Sequence, residues 1–364
     1  MVTRVMIMAG GTGGHVYPGL AVANELMARG AEVIWMGTRE GIESRIVPAA
    51  GIPVVWISIS GLRGKSWTRR FLSPFRLSLA MLQSAVALLR HRPMAVLGMG
   101  GFVAGPGGIV TWLLRRPLLV HEQNAVAGMT NRILAPLAKR LFEAFPGSFP
   151  RRYHAVTVGN PVRAEICHLP PPVVRYAGRT GGLRLLVVGG SQGAAVFNRL
   201  LPQVLALFEP AKRPLVRHQT GVRQFAETHA RYQALAVDAE VSPFLDNIAD
   251  AYQWADLVLC RAGALTVSEI AAAGLAALFV PYPHAVDDHQ SKNAQYLVTA
   301  NAARVLEEEE MDAPTLKAQL EEFVADAVAG RQRLTQMAAR ARQLALPDAA
   351  TRVAQAFIEE AERG

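Results

Sequence analysis

Four glycine-rich segments that follow predicted strands have the composition of phosphate-binding loops. Without a Cβ atom, main-chain amides can approach an anion closely, and the helix that follows adds partial positive charge at its N-terminus. The missing side chains are therefore expected to leave space for a phosphate or a diphosphate. None of the four contains the Gly-Lys-Ser/Thr of a P-loop. The segments are GGTGGH (10–15), GMGGFVAGPGG (98–108), GGSQG (189–193) and RAGALTVSE (261–269).

A carboxylate lies close behind the last of these loops. A helix is predicted over residues 264–273, and Glu269 falls about one turn into it. At that position a carboxylate can accept hydrogen bonds from both hydroxyls of a ribose whose diphosphate meets the helix N-terminus. The alternative is a solvated glutamate on a helix surface. No such acid ends the strand after the first loop, which disfavours an NAD-dependent dehydrogenase.

Alternating strands and helices are needed to bring these loops to one edge of a sheet. Two separate strand–glycine–helix openings, at Val5 and at Leu185, predict two Rossmann-like domains with doubly wound parallel sheets. We expect domains over 1–160 and 161–344, with a last helix near 345–362 that crosses back to the first domain. Predicted strands are 5–8, 33–36, 54–59, 95–97, 118–120, 156–158, 185–188, 216–218, around 241, 257–260 and 277–280.

Basic residues are concentrated in the first half of the chain. Residues 1–162 hold 18 Lys or Arg and 6 Asp or Glu, whereas residues 163–364 hold 20 and 23. Between Ser44 and His121 there are ten basic residues and no carboxylate. A one-sided positive field of this kind attracts phosphates, on anionic lipid or on nucleic acid.

Two cysteines, Cys167 and Cys260, are too few for a disulfide framework or a cysteine-based metal cluster. The first nine residues lack the layout of a signal peptide, so a cytosolic compartment is expected.

Seven segments, in order from residue 8 to about residue 294, resemble the MurG family of glycosyltransferases, glycosyltransferase family 28. They are MAGGTGGHVYPGLAVANEL, SGLRGK, LGMGGFVAGPGG, HEQNAVAGMTN, GNPVR, VVGGSQGA and CRAGALTVSEIAAAGLAALFVPYPHAVDDHQSKNA. The resemblance implies a GT-B fold, two Rossmann-like domains facing a cleft. It also implies transfer of N-acetylglucosamine from UDP-N-acetylglucosamine to the 4-hydroxyl of undecaprenyl-diphosphate-linked muramyl pentapeptide (lipid I), which makes lipid II for peptidoglycan. No cofactor is expected, and other cell-wall synthesis proteins are expected as further partners.

The resemblance also assigns substrate-binding residues, with the donor expected in the second domain. AVDDHQSKNA differs from the family's double-Gln pattern; it is matched at Gln290, with His289 as the alternative. The backbone of Leu245 is expected near the uracil. The full set is Thr12, Gly13, Gly14, Asn124, Arg163, Ser191, Leu245, Ala264, Leu265, Thr266, Val267, Ser268, Glu269 and Gln290.

Transfer from an α-linked donor to a β-linked product inverts the anomeric carbon in one in-line displacement, which needs a base and stabilisation of the leaving diphosphate. His15 is the first candidate base, because its unperturbed pKa is near neutrality. Glu122 is the rival base, or else a residue that orients its neighbours. The chain has no Asp-x-Asp pair, so no essential metal is expected, and Arg163 and Ser191 are expected to help hold the diphosphate.

An amphipathic segment near residues 72–89 predicts contact with a membrane. Apolar residues recur there at steps of three and four, and basic residues flank them. Core packing of the stripe is the alternative. We expect a peripheral protein at the cytoplasmic face of the bacterial inner membrane, on an anionic surface. The expected contacts are Phe71, Phe75, Arg76, Leu79 and Trp112.

Other functions account for fewer of these features. A UDP-N-acetylglucosamine epimerase of the same fold would need no lipid acceptor. A non-enzymatic module for anionic lipid would use the basic half alone and leave the loops of the second half unexplained. Nucleic acid is disfavoured, because no recognised binding motif accompanies the charge.

Overall fold

The computed structural model describes residues 3–59, 73–190, 193–324 and 327–363. The chain divides into two compact units. The first comprises Met1–Arg163 and Leu346–Gly364, and the second comprises Ala164–Ala345.

The first unit is built on a parallel sheet in the order β3-β2-β1-β4-β5-β6-β7. Its strands are β1 (Arg4–Met8), β2 (Glu32–Gly37), β3 (Val54–Trp56), β4 (Ala95–Gly98), β5 (Leu118–Glu122), β6 (Arg140–Glu143) and β7 (Val156–Thr157). Its helices are α1 (Gly13–Ala28), α2 (Glu43–Ala49), α3 (Ser73–His91), α4 (Gly101–Leu113), α5 (Met129–Leu134) and, at the end of the chain, α15 (Ala349–Arg363). β6 was not predicted, and β3 ends at Trp56 rather than at Ile59.

Successive residues of these strands enter two different cores, one on each face of the sheet. Val5 and Ile7 pack in one cluster, whereas Met6 and Met8 pack in the other. Parallel sheets are covered on both faces by their crossover helices, so near-continuous apolar runs are the expected strand sequence. Phe357 of α15 is fully buried in the first cluster, which attaches the end of the chain to the first unit.

The second unit has the same construction, in the order β10-β9-β8-β11-β12-β13. Its strands are β8 (Arg184–Val188), β9 (Leu215–Gln219), β10 (Glu240–Ser242), β11 (Leu257–Cys260), β12 (Ala276–Phe279) and β13 (Ala303–Val305). Its helices are α6 (Ala164–Cys167), α7 (Pro172–Tyr176), α8 (Ala195–Ala206), α9 (Phe225–Ala234), α10 (Ile248–Trp254), α11 (Ala264–Ala273), α12 (His289–Val298), α13 (Ala313–Val324) and α14 (Ala327–Gln343). β13 was not predicted, whereas α11 has the predicted bounds. Two Rossmann-like parallel-sheet domains are therefore confirmed.

Each sheet has one point where the strand order reverses, between β1 and β4 in the first unit and between β8 and β11 in the second. Ligands of open parallel sheets bind beyond the carboxyl ends of the strands at such a point. Each of the four glycine-rich segments begins at or just after the end of one of these four strands. The topology therefore brings them together in pairs, 10–15 with 98–108 and 189–193 with 261–269.

Candidate active site

A buried carboxylate holds the first glycine-rich loop in place. Glu43 is fully buried, and its Oε2 accepts a hydrogen bond of 3.0 Å from the main-chain amide of Gly11. Its Oε1 accepts from the amide of Thr38 at 3.0 Å and from the hydroxyl of Thr38 at 2.7 Å. Glu43 thereby ties the β1–α1 loop to the end of β2, and sequence reasoning missed it. The available signal was its position at the edge of the long carboxylate-free stretch, beside Gly41.

The glycines of this loop leave less space than expected. A Cβ atom on Gly10 would lie 2.6 Å from Glu43 Oε1, and one on Gly101 would lie 2.6 Å from the carbonyl oxygen of Gly10. A Cβ atom on Gly13 would lie 3.1 Å from the ring of Tyr17. Gly14, at the start of α1, has more space, because a Cβ atom there would have Thr12 Oγ1 as its nearest neighbour, at 3.8 Å. The expectation of open space is thus wrong for Gly10, where the protein's own carboxylate takes the place of a ligand.

His15 lies between the loops that follow the neighbouring strands β1 and β4. Its Nδ1 is 3.2 Å from the Oγ1 of Thr12. A Cβ atom on Gly100, which has a φ of +92°, would lie 2.7 Å from His15 Cδ2 and 3.3 Å from the side-chain nitrogen of Asn131. His15 is half-buried, so its ring remains accessible at this edge of the sheet.

Glu122 lies at the end of β5 and is 2% exposed. Its Oε1 accepts from the main-chain and side-chain nitrogens of Asn124, at 2.9 and 3.1 Å. Its Oε2 accepts from the amide of Gly128 at 3.0 Å and from the side chain of Asn131 at 2.8 Å. Because Asn131 also borders the Gly100 position, the structure brings His15 and Glu122 into one neighbourhood. Four hydrogen bonds to one carboxylate fit a residue that orients the 124–131 loop.

The histidine before Glu122 is part of the core. His121 is fully buried; its Nε2 donates to the carbonyl of Gly159 at 2.9 Å, and its Nδ1 accepts from Gln123 at 3.0 Å. Burial lowers the pKa of His121 to about 4, against the opposing effect of the hydrogen bond to Gly159. His121 is therefore neutral at physiological pH.

The remaining sites predicted in the first unit are at its surface. Arg163 is exposed, with its guanidinium 5.8 Å from the centre of the Tyr17 ring. Thr12 is exposed at the N-terminal end of α1, and Asn124 is half-buried.

In the second unit, Glu269 is 5% exposed and accepts a hydrogen bond of 3.1 Å from the hydroxyl of Tyr252 on α10. The alternative of a solvated helix glutamate is therefore wrong. Tyr252 was not predicted, because no local pattern connects it with a residue 17 positions away. The buried thiol of Cys260, at the end of β11, has its pKa raised by burial and further by the charge of Glu269.

The N-terminus of α11 carries the residues predicted to meet the leaving diphosphate. Ala264 and Val267 are buried, whereas Leu265, Thr266 and Ser268 are half-buried. The first amides of a helix lack intrahelical partners and favour an anion. Ala264 and Val267 can therefore contact a ligand mainly through their main chain.

A glutamine positions the loop on the other side of this reversal point. Gln219 is 3% exposed; its Oε1 accepts from the amide of Gly190 at 3.1 Å, and its Nε2 donates to the carbonyls of Gly190 and Pro243 at 3.0 and 3.2 Å. It therefore connects the β8 loop with the β10 loop that holds the half-buried Leu245. The predicted Ser191 lies outside the described residues.

Gln290, in the first turn of α12, is half-buried, and its Oε1 accepts from the amide of Tyr282 at 2.9 Å. His289 precedes it and is also half-buried. Across the described ranges, no group of three or more His, Cys, Asp or Glu side chains has the arrangement of a metal site.

Helix α3 exposes its apolar stripe. Phe75 is 77% exposed, and Leu82, Val86 and Leu89 are 56–62% exposed, while the small residues Ala80, Ser84 and Ala87 face inward. The alternative that the stripe is core is therefore wrong. Leu79, at 46%, and Trp112 of α4, at 49%, are exposed as well, as is Arg76, whereas the predicted contact Phe71 lies outside the described residues. In the part of the chain that the structure describes, no helix has the length and hydropathy needed to cross a bilayer.

Two parallel-sheet Rossmann-like domains, each with glycine-rich segments at its reversal point, define a protein of the GT-B fold class. Comparisons with known proteins identify the family. The N-terminal domain model of glycosyltransferase family 28 matches residues 5–143, and the C-terminal domain model matches residues 184–353. The chain belongs to glycosyltransferase family 28.

Individual relatives are similar over nearly their whole length. The chain is 54% identical to the UDP-N-acetylglucosamine–N-acetylmuramyl-(pentapeptide) pyrophosphoryl-undecaprenol N-acetylglucosamine transferase of Nitrosococcus oceani, over 99% of both chains. It is 51% identical to the transferase of the same name from Marinobacter nauticus, over 98% of both. The crystal structure of Acinetobacter baumannii MurG superposes with a TM-score of 0.84 at 39% identity, over 98% of this chain and 99% of that one. The resemblance to the MurG family is confirmed, and so is the assignment as a transferase.

Proposed function

We propose that this enzyme transfers N-acetylglucosamine from UDP-N-acetylglucosamine to the muramyl 4-hydroxyl of an undecaprenyl-diphosphate-linked acceptor, the step that makes lipid II for peptidoglycan. The observation that carries the proposal is the full-length similarity to transferases of that name, at 54% and 51% identity. The epimerase and lipid-binding alternatives do not account for it.

The second unit binds the nucleotide sugar. The buried carboxylate of Glu269, held by Tyr252, accepts hydrogen bonds from the ribose, and the first amides of α11 meet the diphosphate. Those amides point at the charge that develops on the leaving diphosphate, so they stabilise the transition state more than the ground state.

The first unit supplies the base. His15 takes the proton from the attacking hydroxyl, because its half-buried ring stands at the reversal point of the sheet with Thr12 on its Nδ1. When Nδ1 carries the proton and donates to Thr12, Nε2 has the lone pair that a base needs. Glu122 holds the 124–131 loop beside this ring, since its two oxygens already accept four hydrogen bonds.

The enzyme works as a peripheral protein on an anionic membrane surface, at the cytoplasmic face where nucleotide sugars are available. The support is the exposed apolar face of α3 together with the positive charge of residues 1–162. An apolar helix face with basic surroundings gains free energy both from burial in the bilayer and from anionic headgroups.

The test is transfer of radiolabelled N-acetylglucosamine from its UDP conjugate to lipid I in detergent micelles. We expect a labelled product that partitions into organic solvent, and free sugar at background level. Release of free sugar without a lipid product, or no reaction with lipid I, contradicts the proposal.

A further inference from the structure

A cavity in the first unit lies beside the carboxyl ends of β2 and β3. It has a volume of about 380 Å³, and its wall includes Thr38, Arg39, Glu40, Trp56, Arg76 and Leu79. We propose that this cavity binds the diphosphate of the lipid-linked acceptor, an inference that rests on the proposed function.

The charge of the cavity favours an anion. Among the described residues that line it, Arg39 and Arg76 face the single carboxylate of Glu40. Within the described residues, neither arginine forms an ion pair. Arg39 stacks over the ring of Trp56, 5.5 Å from its centre, which limits the freedom of the guanidinium. A guanidinium group can donate two parallel hydrogen bonds to one phosphate group. A diphosphate has two phosphate groups, so it can accept from both arginines in this way.

The apolar surroundings favour an anion that carries a lipid. Leu79 belongs both to the cavity wall and to the exposed apolar face of α3, together with Phe75 and Leu82. A polyprenyl diphosphate can therefore place its charged end in the cavity while its chain follows this face into the bilayer. A free nucleotide would leave the apolar side unused.

The position of the cavity favours the acceptor over an ordinary phospholipid. Thr38 borders the cavity and donates to Glu43, whose other oxygen accepts from Gly11 of the loop that carries His15. The cavity is thus connected to the candidate base through one buried carboxylate. The same carboxylate accepts from the amide of Gly11, so this amide of the glycine loop is already used within the protein.

The kinetic test compares Arg39→Gln and Arg76→Gln with the matched control Arg90→Gln, which removes an exposed arginine from the other end of α3. Rates are measured in detergent micelles with lipid I and UDP-N-acetylglucosamine varied separately. Loss of a charge-assisted contact is expected to raise the KM for the lipid about tenfold in each cavity variant. The KM for the nucleotide sugar and all constants of Arg90→Gln should equal those of wild type.

A binding test does not depend on turnover. Geranylgeranyl diphosphate is titrated against wild type while tryptophan fluorescence is followed, with Trp56→Phe to identify the signal from the cavity. We expect saturable quenching that Trp56→Phe abolishes and that Arg39→Gln and Arg76→Gln shift to about tenfold higher concentration.

Either of two results overturns the inference. The first is that Arg39→Gln and Arg76→Gln have the same KM for lipid I, and the same midpoint in the geranylgeranyl diphosphate titration, as Arg90→Gln. The other is an unchanged lipid KM together with weaker binding to phosphatidylglycerol vesicles that lack acceptor, which would identify a phospholipid site. If either result is obtained while the wild-type enzyme still transfers sugar to lipid I, the proposed function stands and only the inference about the cavity fails. If the wild-type enzyme does not transfer sugar but geranylgeranyl diphosphate still quenches its fluorescence as expected, only the proposed function is contradicted.

Discussion

The carboxylate of Glu43 accepts a hydrogen bond of 3.0 Å from the main-chain amide of Gly11, across 32 residues of sequence. A loop that sequence patterns associate with phosphate is thus held from behind by a buried negative charge. The neighbouring Gly10 lacks a side chain because that carboxylate needs the space.

We expect Glu43→Ala to destabilise the protein by roughly 3 kcal/mol or more, because it leaves the donors of Gly11 and Thr38 without their buried acceptor. Urea unfolding measures the change. The control is Glu32→Ala, which removes a carboxylate that is 42% exposed and paired with Arg4, and should cost about 0–1 kcal/mol. Equal losses in the two variants would contradict the role of Glu43.

We expect His15→Gln to lower kcat by about 10²- to 10⁴-fold with the KM for the nucleotide sugar unchanged, because a general base acts in the chemical step. Steady-state kinetics with His154→Asn, a change at an exposed histidine, serves as the comparison. The acidic limb of the kcat–pH profile should disappear in His15→Gln and remain in Glu122→Gln. The opposite pattern would make Glu122 the base.

We expect Tyr252→Phe to raise the KM for UDP-N-acetylglucosamine about tenfold, because Glu269 loses the hydrogen bond that fixes its carboxylate. Isothermal titration with UDP reports the same loss in binding. Tyr232→Phe removes another buried hydroxyl of the second unit, which bonds to His218, and should leave the KM unchanged. If both variants weaken the nucleotide equally, the effect is one of general stability.

We expect stability to fall as the pH drops from about 6.5 to about 4, in part through His121. Its pKa is lowered to about 4 in the folded protein, so over this range the unfolded chain binds more protons, and the stabilisation present above pH 6.5 is lost. The shift corresponds to roughly 3 kcal/mol. The free energy of unfolding, measured in urea at several pH values, should fall less steeply with decreasing pH for His121→Gln than for wild type. His218, whose pKa burial lowers to about 3, keeps its own contribution in both proteins.

We expect Leu82→Glu to weaken binding to phosphatidylglycerol vesicles by roughly tenfold or more, because it removes a leucine from the apolar face of α3 and adds a negative charge. Sedimentation with vesicles measures the change. Leu207→Glu alters a leucine of similar exposure, 52% against 62%, in the second unit. If Leu207→Glu has the same effect, α3 is not the membrane contact.

Local patterns in the sequence were sufficient for the order of the elements and the position of the loops. Apolar runs identified strands such as β1 and β8, and α11 has the predicted bounds. Because parallel strands point the same way, the glycine segments were expected at the carboxyl edge of a sheet. Which segments lie side by side depends on the strand order, and only the structure shows that β1 neighbours β4 and β8 neighbours β11. β6 and β13 were missed, because short strands with charged residues lack a strong apolar run.

The sequence by itself therefore determined the class of fold, the family and the edge of each sheet where the glycine-rich segments lie. These features depend on the periodicity of apolar residues and on glycines that directly follow strands. Only the tertiary structure decided which glycine has space and which carboxylate is buried. It also decided which side of α3 faces water. Glu43 fills the place beside Gly10, and Tyr252 holds Glu269. On α3, Ala80, Ser84, Ala87 and Leu88 turn inward, while Leu79, Leu82 and Leu89 turn out. Each of these outcomes depends on contacts between residues distant in sequence, and a one-dimensional pattern carries no information about which distant side chain occupies a given volume.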